Sequence, residues 1–205
     1  MRWRCSPARR ASADVATSAL YRFQLVSGRL LQTFSSPEDS GPVQLTAVAV
    51  TANAVFALDA AGHRIFVLSP GNKALRGFAA LPKTIDPIGL AHTGSALLVS
   101  HAAGVLRVDL TSRIAQLVTA PPAVDVSGLH SLAWHQGALL AIQRDTSYAR
   151  VVRIRFNARG SVVTAVDVLH STVATAAAAL AGDAYHFLTE SPEEGRTFRR
   201  VPAVK

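Results

Sequence analysis

The sequence predicts an all-β fold built from a repeated, four-stranded antiparallel unit, and three observations predict it. The first is self-similarity. "AVTANAVFALD" from Ala49, "AHTGSALLVSH" from Ala91 and "AWHQGALLAIQ" from Ala133 each place a small residue and a polar turn before an apolar run, and they recur 42 residues apart. A fourth copy, "ALAGDAYHFLTE" from Ala179, follows after 46 residues. The second observation is texture: β-branched and aromatic residues fill short runs, with Gly, Asn, Ser or Pro between them. The third is composition. With 49% hydrophobic and 17% charged residues in 205, the chain has enough apolar mass for one packed core and is too apolar to be disordered.

Four strands per 42-residue unit is the spacing of a β-propeller blade. A β-solenoid needs shorter coils, and a leucine-rich repeat needs an asparagine ladder that this chain lacks. Taken in order, residues 1–13 are Arg-rich and are expected to be an irregular or disordered basic segment. Residues 14–40 form a partial blade of two strands, entered at "ADVATSALYRF" and continued in "LYRFQLVSGRLLQTF". Blade 41–82 pairs "AVTANAVFALD" with "RIFVLSPGNKALRGF", and blade 83–124 pairs "AHTGSALLVSH" with "LRVDLTSRIAQLV". Blade 125–170 pairs "AWHQGALLAIQ" with "VRIRFNARGSVVTAV". A partial blade of three strands closes the chain over residues 171–205, ending in "RTFRRVPAVK". The alanine-rich stretch "STVATAAAALAGDA" in this last copy could pass for a helix, but it is in register with the innermost strands, where small side chains let blades approach. The expected object is an incomplete propeller, about four blades of a six-bladed type, and on this reading a fragment that has lost part of its amino-terminal side.

The net charge of +8 sits at the chain ends. Residues 1–34 carry +5 and residues 196–205 carry +4, while everything between nets −1. Without a basic face or an aromatic-rich basic strand, nucleic-acid binding is not expected. Cys5 is the only cysteine, which excludes an internal disulfide and a cysteine-rich zinc site. The start lacks an apolar run of signal-peptide length, so the compartment is not readable from this chain; an export signal is expected only for a longer form. Windows 41–58, 87–106 and 126–143 lack charged residues and are long enough to cross a bilayer. Each is broken by turn formers such as Thr51-Ala52-Asn53 and His135-Gln136-Gly137, so they are expected to be paired strands buried on both faces, with no membrane span.

The repeats bring four polar residues to equivalent places. Asp59, His101 and Gln143 each lie ten residues after their marker alanine, and Glu190 lies eleven after its own. In a propeller, equivalent positions form a ring, here a polar collar at the channel mouth that could hold a small polar ligand. A metal, if one binds, is expected at Asp59, His101 and Glu190. The competing expectation is that each residue closes a strand corner by hydrogen bonding. Asp86 and Asp125 precede innermost strands on the same face, and His130 follows in "SGLHSLAWHQG"; these are the remaining ligand candidates. No nucleophile elbow supports a serine hydrolase.

"GVLRVDL", "RVVRIRFNARGSVVTAVDVL" and "SGLHSLAWHQGALLAIQR" resemble bacterial propellers of the regucalcin and gluconolactonase type. The resemblance implies sugar-lactone hydrolysis with one divalent cation held by a Glu, two Asn and an Asp. This chain departs from that set: His130 and His101 stand where relatives tend to place Asp, and Gln143-Arg144 where an Asn often ends the strand. Its asparagines, Asn53, Asn72 and Asn157, all fall in expected turns. The expectation is therefore a non-enzymatic propeller scaffold, without cofactor, that binds a small polar ligand or a protein at the loop face of the channel. The alternative is a divergent metal-dependent sugar-lactone hydrolase of the gluconolactonase type using one divalent cation.

Overall fold

The computed structural model describes residues 2–7, 18–144, 149–172, 175–191 and 195–203. They form five small antiparallel sheets. β1 (Arg2–Pro7), β2 (Ser18–Phe23) and β3 (Leu30–Phe34) make the first sheet. β4 (Leu45–Val50), β5 (Val55–Asp59), β6 (Arg64–Leu68) and β7 (Arg76–Ala80) make the second. β8 (Pro87–His92), β9 (Ala96–His101), β10 (Gly104–Asp109) and β11 (Ala115–Leu117) make the third. β12 (Leu129–His135), β13 (Ala138–Arg144), β14 (Ala149–Phe156) and β15 (Val163–Thr172) make the fourth. β16 (Thr175–Ala181), β17 (Ala184–Ser191) and β18 (Gly195–Pro202) make the fifth, so the alanine-rich stretch is a strand. The helical content among the described residues is one 3-10 turn, Glu38–Ser40, and no helix there is long and apolar enough to cross a membrane.

The sheets fan as the blades of a β-propeller. Innermost strands pack in succession, β1 on β4, β4 on β8, β8 on β12 and β12 on β16. Three blades are four-stranded, as the repeat predicts, and the last has its three strands. The first differs from expectation. Within the segment read as irregular, Arg2–Pro7 forms β1 and pairs along its whole length with β2, giving that sheet a third strand. A strand edge left bare by β2 attracts any extended neighbour that can supply N–H and C=O groups, whatever its charge.

The core lies between the blades, and strand alternation allots it. On β9, Leu97 and Val99 pack back against Leu58 and Ile65, while Leu98 packs forward with Leu139 and Val152. On β13, Leu139 faces back, while Leu140 and Ile142 meet Tyr185 and Phe187 of the fifth sheet. Ala57 and Phe66 meet Leu20 and Phe34 of the first. Every residue of β5 and of β9 is buried, so these strands have no solvent face to alternate toward. That explains the charge-free windows. Each buried large apolar side chain contributes about 1.5–3 kcal/mol.

The repeat extends to its irregularities. Four innermost strands, β4, β8, β12 and β16, slip register once against their neighbours, between Leu45 and Ala47, Pro87 and Gly89, His130 and Ala133, and Thr175 and Ala177, whereas β1 pairs with β2 in unbroken register. A bulge at this place bends these four strands around the axis. In the fourth blade it is fastened from outside, because the buried Tyr185 hydroxyl donates to the Ser131 carbonyl.

Candidate functional site

The second strands β5, β9 and β13 all finish at one end of the channel, beside the first residues of their innermost strands: Asp59 is opposite Leu45, His101 opposite Pro87 and Gln143 opposite Leu129. The second-strand ends of these three blades, expected to form a collar, thus each lie beside the start of an innermost strand, with Asp86 preceding Pro87. The side chains of Asp59, His101 and Gln143 are buried. Asp59 has no accessible surface; its Oδ1 accepts the Gln44 N–H at 2.8 Å and the Gly62 N–H at 3.1 Å, and its Oδ2 accepts from Arg64 Nε at 2.8 Å. One carboxylate thus ties an innermost strand, a hairpin and a third strand together.

Gln143 does the same with different chemistry. Its Nε2 donates to Asp125 Oδ2 at 3.0 Å and to the Asp125 and Ser127 carbonyls, while its Oε1 accepts from Arg150 Nε at 2.8 Å. Asp125, though exposed, is held by the Ser127 N–H at 2.9 Å; its hydrogen bonds from Ser127 are the main cause that depresses its carboxyl pKa. Asp86 is exposed. The Glu190 side chain lies outside the described residues, but its backbone pairs with Arg196.

These contacts expose a pattern that spacing concealed. Asp59 is opposite Arg64, Gln143 opposite Arg150 and Glu190 opposite Arg196, each the polar end of a second strand facing an arginine of the third. His101 is the exception, opposite Gly104. Its Nδ1 accepts the Ala103 N–H at 3.3 Å, and its buried Nε2 has no partner. Burial lowers the imidazole pKa. His130 is half-buried, and burial first, then the Arg144 charge, lowers its pKa as well.

The cation implied by the family resemblance does not fit here. Both oxygens of Asp59 already accept donors, one of them a guanidinium that would repel a metal, and Gln143 Oε1 faces another guanidinium. Among the described residues no group of three His, Cys, Asp or Glu converges to ligating distance.

A different site opens at the opposite end, where the innermost strands finish. A cavity of about 1000 Å³ lies between the first, second and fifth sheets. Its floor is apolar, formed by Phe34, Val48, Val55 and Leu68, with Leu180 of β16 opposite. Its rim is polar: Arg22 near the end of β2, Asn53 in the β4–β5 turn, and Asn72 with Lys73 in the β6–β7 turn. The β4–β5 turn is rigid because Thr51 Oγ1 donates to the Ala54 carbonyl at 3.0 Å and accepts the Ala54 N–H at 2.9 Å.

No family model and no curated protein matches the sequence. Solved structures do. TolB from Acinetobacter baumannii is similar over 93% of this chain and 50% of its own, with a TM-score of 0.62 at 13% identity. Virginiamycin B lyase from Staphylococcus aureus is similar over 91% of this chain and 59% of its own, with a TM-score of 0.61 at 13% identity. A Bacteroides uniformis protein described as a candidate 6-phosphogluconolactonase is similar over 92% and 67%, with a TM-score of 0.53 at 12% identity. What they share is the propeller. At these identities the likeness is one of fold, and the chain spans 50% and 59% of the length of the first two.

Spacing alone could not have located the cavity of this propeller. Arg22 comes from the first sheet, and Asn53, Asn72 and Lys73 come from two turns of the second that lie 19 residues apart in sequence. The available signal was that two of the chain's three asparagines fall in turns of one blade, both at the same end of the channel.

Proposed function

We propose that the protein is a non-enzymatic propeller scaffold that binds a small polar ligand, and that the ligand enters the cavity at the end of the innermost strands and not the collar. The observation that carries this reading is the contrast between the two ends. Collar groups Asp59 and Gln143 are engaged within their own blades, whereas the cavity presents polar groups around an apolar floor. Its volume of about 1000 Å³ is at the upper end of the range of small-molecule pockets. The gluconolactonase-type alternative draws on the propeller likeness alone, and among the described residues no three His, Cys, Asp or Glu groups converge to take its cation.

The test is a fragment screen followed by amide chemical shifts. Hits that perturb Val48, Val55 and Asn72, and that are lost when Val48→Trp fills the floor, support the reading. Hits that instead perturb Asp59, Gln143 and His101 overturn it. So does a rise in melting temperature with calcium, zinc or manganese accompanied by lactone hydrolysis, since a ligand of the native state stabilises it.

A further inference from the structure

The geometry points to an anionic amphiphile as the occupant of this cavity: a small molecule with one carboxylate or phosphate headgroup on an apolar body. The inference rests on the cavity being the binding site and specifies its ligand. Charge is the first argument. The lining carries two cations, Arg22 and Lys73, and no carboxylate among the described residues. Arg22 is half-buried and takes part in no ion pair among the described residues, although other arginines here pair with acids, as Arg64 does with Asp59 and Arg153 with Asp167.

The second argument is an unsatisfied donor. Arg22 Nε is buried without a hydrogen-bond partner among the described residues. A guanidinium nitrogen withdrawn from water and unpaired is costly, and because the half-buried Arg22 side chain lines the cavity, a small turn toward an oxyanion bound there relieves that cost. Guanidinium matches carboxylate and phosphate geometry in particular, because its parallel N–H groups meet two oxygens at once. Lys73 is exposed on the β6–β7 turn and adds a mobile point charge at the entrance. Asn53 and Asn72, also in the lining, supply neutral donors.

The third argument is the floor. An inorganic anion occupies a small part of about 1000 Å³ and leaves the accessible apolar lining, half-buried Val48 and Leu180 and exposed Val50, against water. An apolar body attached to the anion covers them and gains on the order of 25 cal/mol per Å² buried. Headgroup and body are thus both required.

The experiment is a titration of the full chain, followed by amide shifts at Val48, Val55 and Asn72, with octanoate, octyl phosphate and neutral 1-octanol. Octanoate or octyl phosphate is expected to bind about tenfold more tightly than octanol, the scale of one charge-assisted hydrogen bond; the stronger of the two names the headgroup. Arg22→Gln is expected to bring that ratio near one, and Arg22→Lys to restore part of it. Added sodium chloride in the unmodified protein should shrink the ratio in the same direction, a readout that does not depend on either variant folding. Equal binding of octanoate and octanol at the cavity overturns the anionic inference and leaves the cavity as the site. Absence of any shift at the cavity overturns both.

Discussion

Asp59 has no accessible surface, and three donors converge on its carboxylate. Asp59→Ala removes the acceptor and leaves two backbone N–H groups and a guanidinium without it. The expected loss is about 2–4 kcal/mol of unfolding free energy by urea titration, with no loss of ligand at the distant cavity. A variant that kept full stability would return Asp59 to the ligand candidates. His101 and His130 both titrate below the ordinary histidine value of 6.5 in the folded protein. The unfolded chain therefore binds more protons between the folded values and 6.5, so this contribution is complete above pH 6.5 and is lost as pH falls through that window. His101→Gln, the residue type the next blade uses at this position, should make the fall in urea midpoint between about pH 7.5 and about pH 5.5 shallower. An unchanged slope would mean His101 does not titrate there. At this scale the equivalence of Asp59, His101 and Gln143 was readable from a constant spacing of 42 residues. Their arginine partners were not, because hairpins of different length put Arg64 five residues after Asp59 but Arg150 seven after Gln143.

Strands were legible where burial leaves only one composition. β5 and β9 are apolar on both faces because a blade stands on each side, and the turn formers that bound them are plain in the sequence. β1 was not legible. An Arg-rich run has no strand pattern of its own and gains extended form by pairing with β2. The bulges were equally hidden, since register slip depends on how an inner strand bends around the axis. Tyr185 tests one of them. It is fully buried, burial raises its phenol pKa, and its hydroxyl donates to the Ser131 carbonyl inside the β12 bulge. Tyr185→Phe keeps the packing with Leu140 and Ile142 but strands that carbonyl, and is expected to cost about 1–2 kcal/mol in thermal or urea unfolding. No measurable cost would show that the bulge holds without its anchor.

Across the whole molecule, each sheet touches mainly its neighbours, so protection from solvent should grade along the arc. Amide hydrogen exchange is expected to be slowest in β5, β9 and β13, whose residues are almost all buried, and faster in β18, where most residues are exposed. Equal protection of β18 and β9 would instead mean a single cooperative unit. The cavity belongs to this scale too. β2, β4 and β16 are remote in sequence, and only the curvature of the arc brings Arg22, Val48 and Leu180 around one space.

By itself the sequence determined the propeller, the blade length and the ring of equivalent strand ends, because these are local and periodic: a strand between two blades must be apolar, and a turn must contain residues that permit it. Tertiary structure alone decided which end can take a ligand. Whether a polar side chain is available depends on what the neighbouring strands offer it, and here hydrogen bonds engage Asp59 and Gln143 at the collar, while Arg22, whose Nε has no hydrogen-bond partner among the described residues, lines the cavity at the other end.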